Sequence, residues 1–358
     1  MLKVLIIASA TAILASACSP RTASDSSGAG TTAAATTYSN DWSFFSAEGG
    51  LTNCSDYSPY FFLVRRADPN KIAVIFQGGG ACWDEATCSS GSQTFKRSVS
   101  EADSPQAGQG IFDFGDDRNP IADFTTVFIP YCTADAHLGD TVATYAAGSE
   151  QETTISHRGY ANAATALSWV LDHVEEPETI FVAGMSAGAI ASPFYAGLLA
   201  SIYPDTKVVQ LGDGAGGYRH ETIPTIMDTW GATELTTEIE WLETMNPDTL
   251  DFEDLYIAAG QFPNLQLAQV NYVDDAVQVS FLQKMGSQAT GLNNTLTNNL
   301  AEIEQAIPTF RAYQIPGNLH VVIDKPEFYS TEIEGVKLSD WLTALLEQDT
   351  ASNVGSQF

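Results

Sequence analysis

The sequence is poor in basic residues. Its 358 residues contain 15 Lys and Arg against 44 Asp and Glu, which gives a formal net charge of -29 at pH 7. Phosphate binding needs clustered Lys and Arg, so no nucleic-acid partner is expected. An acidic surface favours solubility and repels polyanions unless the binding cleft is locally basic. With 44% hydrophobic residues, the chain is long enough for one large α/β domain or two small ones.

The N-terminus also lacks an apolar run of membrane-spanning length, because Val4 to Leu14 is too short for a mature transmembrane helix. Together with the basic residue before it, this run predicts a signal peptide over residues 1–18. Leu14-Ala15-Ser16-Ala17-Cys18 resembles a bacterial lipobox, which predicts that Cys18 is lipidated. Ser19 beside it is then typical of an outer-membrane lipoprotein. Plain secretion with Cys18 removed is the alternative, so the only expected membrane contact is a lipid anchor.

Cysteines are few, and four remain after Cys18: Cys54, Cys82, Cys88 and Cys132. An even number in an exported chain predicts two disulfides, and the sequence alone permits three pairings. A zinc site is the alternative. It is disfavoured because Cys82 and Cys88 are far apart for a zinc-ribbon knuckle and no histidine lies close to them.

The most informative stretch of the chain is Gly184-Met185-Ser186-Ala187-Gly188. Thr179 to Ala183 predicts a buried strand before it. Ala189 to Tyr203 predicts a helix after it, in which Pro193 is expected to be tolerated near the first turn. Strand, G-x-S-x-G and helix together predict a nucleophile elbow, whose strained turn lifts the Ser186 hydroxyl clear of the sheet. A packing turn of small residues is the alternative.

A glycine-rich loop follows an earlier predicted strand, Ile72 to Phe76. Its sequence is Gln77-Gly78-Gly79-Gly80-Ala81-Cys82-Trp83, and three glycines allow backbone N–H groups to turn inward. We expect the N–H groups of Gly79 and Gly80 to join that of Ala187 in an oxyanion hole. A flexible turn is the alternative interpretation.

A serine hydroxyl needs a base, and in hydrolases with such an elbow the chain order is Ser, then acid, then His. His320 follows the last predicted strand and is therefore the expected base for Ser186. The acid is expected at Asp274 or Asp275, after the preceding strand, or less favourably at Asp213. The implied reaction is two-step acyl transfer to water, for which no metal or organic cofactor is expected.

Three further residues are predicted to line the substrate pocket, namely Trp83, His137 and Asp213. His137 lies in the loop that follows the predicted strand Phe124 to Pro130, and it is interpreted either as a pocket residue or as a solvated loop histidine.

With these residues identified, the chain resembles the pectin acetylesterase/Notum family of serine carboxylesterases. The resemblance covers five segments: the Gln77 to Trp83 loop with Cys88, Pro130 to His137, Gly184 to Gly188, Asp275 to Gln278, and Asn318 to His320. Members of this family remove acetyl groups from pectin or a fatty acyl group from a signalling protein. The chain departs from the family pattern at Gln77, where an acidic residue is common, and at Ala189, where a third small glycine often stands.

The resemblance implies several properties of this chain. In the family the acid is followed by two residues and a glutamine, which selects Asp275 over Asp274. The resemblance also implies two disulfides, one between Cys82 and Cys88 and one between Cys54 and Cys132. The elbow and the chain order of its partners predict an α/β-hydrolase fold, with a mostly parallel central sheet and helices on both faces. The region from about 219 to 262 has several Trp, Met and acidic residues and no strand alternation, which predicts a helical cap.

We therefore expect a flexible tether at 19–40, an α/β-hydrolase domain at 41–346 with a cap at roughly 219–262, and a loose tail at 347–358. The leading hypothesis is an exported, monomeric serine carboxylesterase acting on acetylated polysaccharide or another acyl ester. One alternative is a lipase or polyester hydrolase with the same triad and a more apolar cap. The other is a surface lipoprotein that binds glycans without catalysis.

Overall fold

A computed structural model of the chain describes residues 41–46, 51–105, 108–146, 152–347 and 350–355. The predicted signal peptide, the lipobox with Cys18 and the tether lie outside the described residues. All described residues belong to one unit, Asn40–Phe358. Within them, no helix combines the length and the apolar character that crossing a membrane requires.

The strands alternate with helices along most of the chain. They are β1 Ser43–Ser46, β2 Phe61–Arg65, β3 Asp68–Phe76, β4 Phe124–Ile129, β5 Thr141–Ala146, β6 Glu152–His157, β7 Thr179–Met185, β8 Lys207–Asp213, β9 Leu265–Gln266, β10 Ala268–Tyr272, β11 Arg311–Ile315, β12 Glu332–Ile333 and β13 Val336–Lys337. The central sheet runs β1-β2-β4-β3-β7-β8-β10-β11, with β9 also beside β8. Pairing is antiparallel at the β1-β2-β4 edge and parallel from β4 onward.

The helices are α1 Glu85–Cys88, α2 Gly159–His173, α3 Ala187–Ile202, α4 Ile223–Thr229, α5 Leu235–Glu238, α6 Phe252–Ala259, α7 Ala276–Lys284, α8 Asn293–Ala306 and α9 Leu338–Glu347. Short 3-10 turns lie at Glu101–Asp103, Gly110–Phe112, Ala232–Glu234, Glu240–Leu242 and Pro326–Tyr329. The architecture is thus mixed α/β with a mostly parallel central sheet, compatible with an α/β-hydrolase-like fold.

Helices cover both faces of the sheet. Ile75 of β3 belongs to the same buried cluster as Trp341 and Leu345 of α9. The next residue, Phe76, stacks on Tyr195 of α3 with ring centroids 4.6 Å apart. Successive residues of a strand face opposite sides, so α9 and α3 lie on opposite faces.

Both disulfides implied by the family resemblance are present. Cys54 is bonded to Cys132 and Cys82 to Cys88. The first joins the segment before β2 to the loop after β4, and the second closes the short segment around α1. Among the described residues, no group of three or more His, Cys, Asp or Glu side chains is arranged to hold a metal ion.

Several elements differ from the sequence expectations. The hairpin β5–β6 was not expected, and β5 alternates between exposed and half-buried positions without a buried face. The predicted strand before Asp274 and Asp275 consists of two strands, β9 and β10, separated by Leu267. The segment between β8 and β9 is helical, as predicted, and contains α4, α5 and α6.

The C-terminal tail is not loose over its described part, 351–355. Val354 forms a parallel bridge with Tyr313, and its N–H donates to the Ala312 carbonyl at 2.9 Å. Arg311 Nε donates to the carbonyl of Ala351 at 2.7 Å. The tail therefore binds the backbone groups that the edge strand β11 would otherwise leave unpaired.

Pro193 also differs from its expected place, since it lies inside α3 beyond the first turn. A proline has no N–H for the carbonyl four residues earlier, which is that of Ala189. Ser192 Oγ donates to this carbonyl instead, at 3.0 Å. The neighbouring serine thus satisfies the acceptor that the proline leaves free.

Candidate active site

The predicted elbow is present between β7 and α3. Ser186 has φ 54° and ψ -118°, a left-handed conformation that non-glycine residues rarely adopt. A Cβ on Gly184 would collide with the backbone carbonyl of Gly188, and a Cβ on Gly188 would collide with that of Phe76. Strand and helix therefore pass so closely that only glycine fits at these positions. The turn holds Ser186 at the C-terminal end of the central strand β7.

His320 and Asp275 come together at the same side of the sheet as Ser186, beyond the C-terminal ends of the parallel strands. His320 lies in the loop after β11, and its Nδ1 is 2.6 Å from Asp275 Oδ2. The imidazole side chain is 18% exposed, whereas the Asp275 side chain is fully buried. A carboxylate only accepts hydrogen bonds, so Nδ1 carries the proton and Nε2 presents a lone pair.

Asp275 is held in place by more than the histidine. It caps α7, with Oδ1 accepting from the backbone N–H groups of Val277 at 2.9 Å and Gln278 at 3.1 Å. The Gln278 side-chain amide also donates to Oδ2, at 3.1 Å. Its neighbour Asp274 is exposed to solvent. Of the three candidate acids that the sequence offered, the geometry therefore brings Asp275 to His320.

Ser186 and His320 line one open cleft of about 540 Å³, together with the glycines of the Gln77 to Trp83 loop. No hydrogen bond joins the side chain of Ser186 to another described residue. In serine hydrolases without substrate the contact between nucleophile and base is often longer than a hydrogen bond. The cleft thus brings together Ser186, His320 and the glycine-rich loop.

The part of the glycine-rich loop that lines this cleft has backbone donors that are unpaired within the described segments. The N–H groups of Gly79 and Gly80 donate to no acceptor in the described part of the chain, and that of Ala187 begins α3 without an intrahelical partner. The loop is fixed because the N–H of Lys96 donates to the Gly79 carbonyl at 2.9 Å. Gly80 has φ 77°, and a Cβ there would collide with the carbonyl of Thr94.

His137 lies behind this loop and does not line the cleft, in contrast to the pocket role expected for it. It is 1% exposed, and its Nε2 lies 2.8 Å from the carbonyl of Gln77. A carbonyl only accepts, so Nε2 donates. The hydroxyl of Tyr195 donates to the carbonyl of His137 at 2.6 Å. Burial lowers the pKa of His137 to about 4, so a neutral imidazole supports the loop.

Asp213 is likewise buried behind the cleft and does not line it. Its Oδ2 accepts from the N–H groups of Val322 at 2.7 Å and Ile323 at 2.8 Å, just after His320. Its backbone carbonyl accepts from the Ser186 N–H at 2.7 Å. One residue at the end of β8 therefore fixes both the elbow and the histidine loop. Burial raises the pKa of its carboxyl to about 7.

Trp83 lines a small pocket, and its predicted contact with substrate stays a prediction. This pocket has a volume of about 30 Å³ and Ser186 at one side. The rest of its wall is apolar or aromatic and includes Ala81, Ile190, Tyr218, Trp230, Phe252, Phe281 and Met285. Trp230 also donates from its indole to the Cys82 carbonyl at 2.7 Å. Sequence reasoning missed these residues. For Phe281 and Met285 the available signal was their i, i+4 spacing after the acid.

The comparisons with known proteins bear on this geometry. The sequence model of the family described as Pectinacetylesterase matches residues 45–245, more than half of the chain. The chain belongs to the pectinacetylesterase family. The matched span contains the glycine-rich loop and Ser186 but ends before Asp275 and His320. The pectinacetylesterase match does not cover those two residues, and the evidence for their pairing is the hydrogen-bond geometry described above.

Curated relatives with palmitoleoyl-protein carboxylesterase names match a shorter part of the chain. Notum2 of Xenopus laevis is 32% identical over 94 residues, 25% of this chain and 19% of that protein. Human NOTUM is 31% identical over 90 residues, 24% of this chain and 18% of that protein. Danio rerio notum1b, named as inactive, is 30% identical over 95 residues, 25% of this chain and 68% of that protein. The match to the first two thus spans about a fifth of their length.

Proposed function

We propose that this chain is an exported serine carboxylesterase that hydrolyses acetyl or other short acyl esters through an acyl-enzyme. The nucleophile is Ser186, the base His320 and the orienting acid Asp275. The observation that carries the proposal is the 2.6 Å hydrogen bond from His320 Nδ1 to Asp275 Oδ2, in a cleft that His320 shares with Ser186. A family name alone does not establish activity, since one relative is named as inactive.

The proposed reaction begins when Ser186 Oγ attacks the ester carbonyl and its proton passes to His320 Nε2. Asp275 keeps the other nitrogen protonated and stabilises the imidazolium that forms. His320 then returns the proton to the leaving alcohol oxygen, which leaves the acyl group on Ser186. Water, deprotonated by the same nitrogen, releases the acid and restores the serine.

The negative charge on the carbonyl oxygen needs donors that are already in place. The N–H groups of Gly79, Gly80 and Ala187 are the proposed oxyanion hole, because they have no acceptor among the described residues. Gly79 and Gly80 line the cleft with Ser186, and Ala187 lines the small pocket on which Ser186 also borders. The positive end of α3 points to the same place. Loss of one such donor typically costs ~10²–10³ in rate.

The small volume of the pocket beside Ser186 is evidence that the acyl group of the substrate is short. A cavity must offer roughly 10–15 Å³ to hold one water molecule. The pocket volume of about 30 Å³ therefore suits the methyl of an acetyl group and has no room for a fatty acyl chain. Trp230 and Phe252 contribute to its wall from the 219–262 segment, and Tyr218 contributes from just before it, which supports a role for that segment as a cap over the acyl side of the site.

Export is part of the proposal. Two disulfides are typical of an oxidising compartment. The sequence of residues 1–18 supports a signal peptide, and lipidation at Cys18 is testable by incorporation of labelled fatty acid. Equal incorporation into wild type and Cys18→Ala would reject the lipid anchor.

The function is tested with p-nitrophenyl esters of acetate, butyrate, octanoate and palmitate. We expect the highest kcat/KM with acetate, a steep fall with chain length, and loss of turnover in Ser186→Ala. A preference for palmitate would instead support the lipase alternative. Equal background rates in wild type and Ser186→Ala would reject the esterase and leave the glycan-binding alternative.

A further inference from the structure

A second cavity adjoins the catalytic cleft and has no part in the mechanism above. It has a volume of about 230 Å³, and we refer to it as the side cavity. Gln77, Met185 and Asp324 line both spaces, so the side cavity opens beside the cleft. The rest of its wall mixes polar and aromatic side chains, chiefly Asp103, Ser104, Gln109, Phe112, Phe128 and Lys325.

Two polar atoms of this wall have no partner. Asp324 Oδ1 and Ser104 Oγ are buried and make no hydrogen bond within the described part of the chain. A buried carboxylate oxygen without a donor is costly, and a ligand that supplies one is favoured. Asp324 Oδ1 can only accept, so it pairs with a ligand hydroxyl and repels a ligand carboxylate, whereas the Ser104 hydroxyl donates as well as accepts and can pair with either. The unpaired carboxylate oxygen therefore favours an uncharged ligand rich in hydroxyl groups.

The lysines that line the two spaces are already neutralised. Lys96 Nζ lies 2.5 Å from Asp103 Oδ1 and donates to Gln77 Oε1 at 3.0 Å. Lys325 Nζ lies 3.1 Å from Asp324 Oδ2. An anionic ligand would have to displace a carboxylate from each lysine before it could pair with it. The net charge of the whole chain, -29, also repels an anionic ligand.

The position of the side cavity fits the alcohol half of the ester. The small apolar pocket beside Ser186 takes the acyl group, so the alcohol must lie on the open side of the cleft, which the side cavity adjoins. Resting on the proposed esterase function, we propose that the side cavity binds a neutral, polyhydroxylated alcohol such as an acetylated uncharged sugar unit. Because Asp103 and Asp324 already pair with Lys96 and Lys325, the site offers no free cation to an alcohol that carries a carboxylate.

The test compares two forms of one polymer. Acetylated homogalacturonan is used with its carboxylates free and after methyl esterification, at equal acetyl content. At about 20 mM salt, we expect wild-type kcat/KM to be at least about tenfold higher for the methyl-esterified form, because like charges in contact strongly disfavour binding. The ratio of kcat/KM for the methyl-esterified polymer to that for the free-acid polymer should decrease at high salt, because salt screens the repulsion.

Variants separate the side cavity from the charge of the whole protein. Asp103→Asn and Asp324→Asn should each lower the preference for the esterified polymer several-fold. Asp205→Asn removes the same charge from an exposed residue before β8, at the other end of the strand from Asp213, and should leave the ratio unchanged. Each rate is divided by that for p-nitrophenyl acetate, which reports the chemistry of the triad alone.

Two results would overturn the proposal: equal or faster turnover of the free-acid polymer, or a ratio that changes no more in Asp103→Asn and Asp324→Asn than in Asp205→Asn. Calorimetric binding of both polymers to Ser186→Ala makes the same comparison without turnover. Absence of p-nitrophenyl acetate hydrolysis would reject the esterase function itself, and the binding preference would still be decided.

Discussion

Replacement of Asp275 by asparagine is expected to lower kcat for p-nitrophenyl acetate by ~10⁴, with the fold retained. Asparagine can keep the two backbone hydrogen bonds that Asp275 Oδ1 accepts from Val277 and Gln278 at the start of α7. Its amide would then face His320 Nδ1, and two donors cannot pair. The imidazole must move its proton to Nε2, where it can no longer accept the proton of Ser186.

A loss of ~10⁴ in kcat corresponds to about 5.5 kcal/mol of transition-state stabilisation. Asp274→Asn is the matched control, because Asp274 is the adjacent carboxylate and is exposed. We expect this variant to keep kcat within about twofold of wild type, since surface substitutions rarely affect function at a buried site. Circular dichroism and thermal unfolding establish that both proteins are folded. A folded Asp275→Asn protein that keeps a tenth or more of wild-type kcat would refute the reasoning.

Three further predictions concern the free energy of unfolding and the glycine-rich loop. Replacing Cys54 and Cys132 together by serine opens a disulfide with a sequence separation of 78, and should lower the free energy of unfolding by about 4.5 kcal/mol on the chain-entropy estimate, measured in urea under oxidising conditions; a loss below about 1 kcal/mol would contradict it. Burial raises the pKa of Asp213 to about 7 from 3.8, so the folded state keeps a proton that the unfolded chain releases, and this stabilisation is complete below about pH 4 and lost as the pH rises to about 7. The stability of wild type relative to Asp213→Asn should therefore fall by up to about 4 kcal/mol across that window and be flat above it; a difference independent of pH would show that the carboxyl titrates normally. Gly80→Ala should reduce kcat by ~10²–10³, because φ 77° and the facing backbone leave no room for a Cβ, whereas Gly91→Ala, where a Cβ meets nothing within 4 Å, should not.

The elements nearest the site were the most predictable from sequence. The apolar run before Ser186 and the Ala-rich run after it gave β7 and α3, because both are buried and regular along the chain. The chain order of hydrolase triads pointed to His320. The choice of Asp275 over Asp274 needed the family resemblance. Burial, which the structure supplies, now gives the physical reason for it.

The remaining features depend on contacts between distant segments. His137 and Asp213 were expected in the pocket, but they hold backbone carbonyl and N–H groups of the loops behind it. Such a role is set by tertiary burial, which a local pattern does not report. The tail at 347–358 was expected to be loose because chain termini often are, yet Val354 pairs with Tyr313 at the open edge of β11. The hairpin β5–β6 escaped notice because β5 has no buried face and only the end of β6 is buried.

The most direct test of the central claim is covalent labelling by a fluorophosphonate, read out by peptide mass spectrometry. The account predicts one adduct, on Ser186, that is absent from Ser186→Ala and forms far more slowly in Asp275→Asn. An adduct on another residue, or full ester hydrolysis by Ser186→Ala, would contradict it.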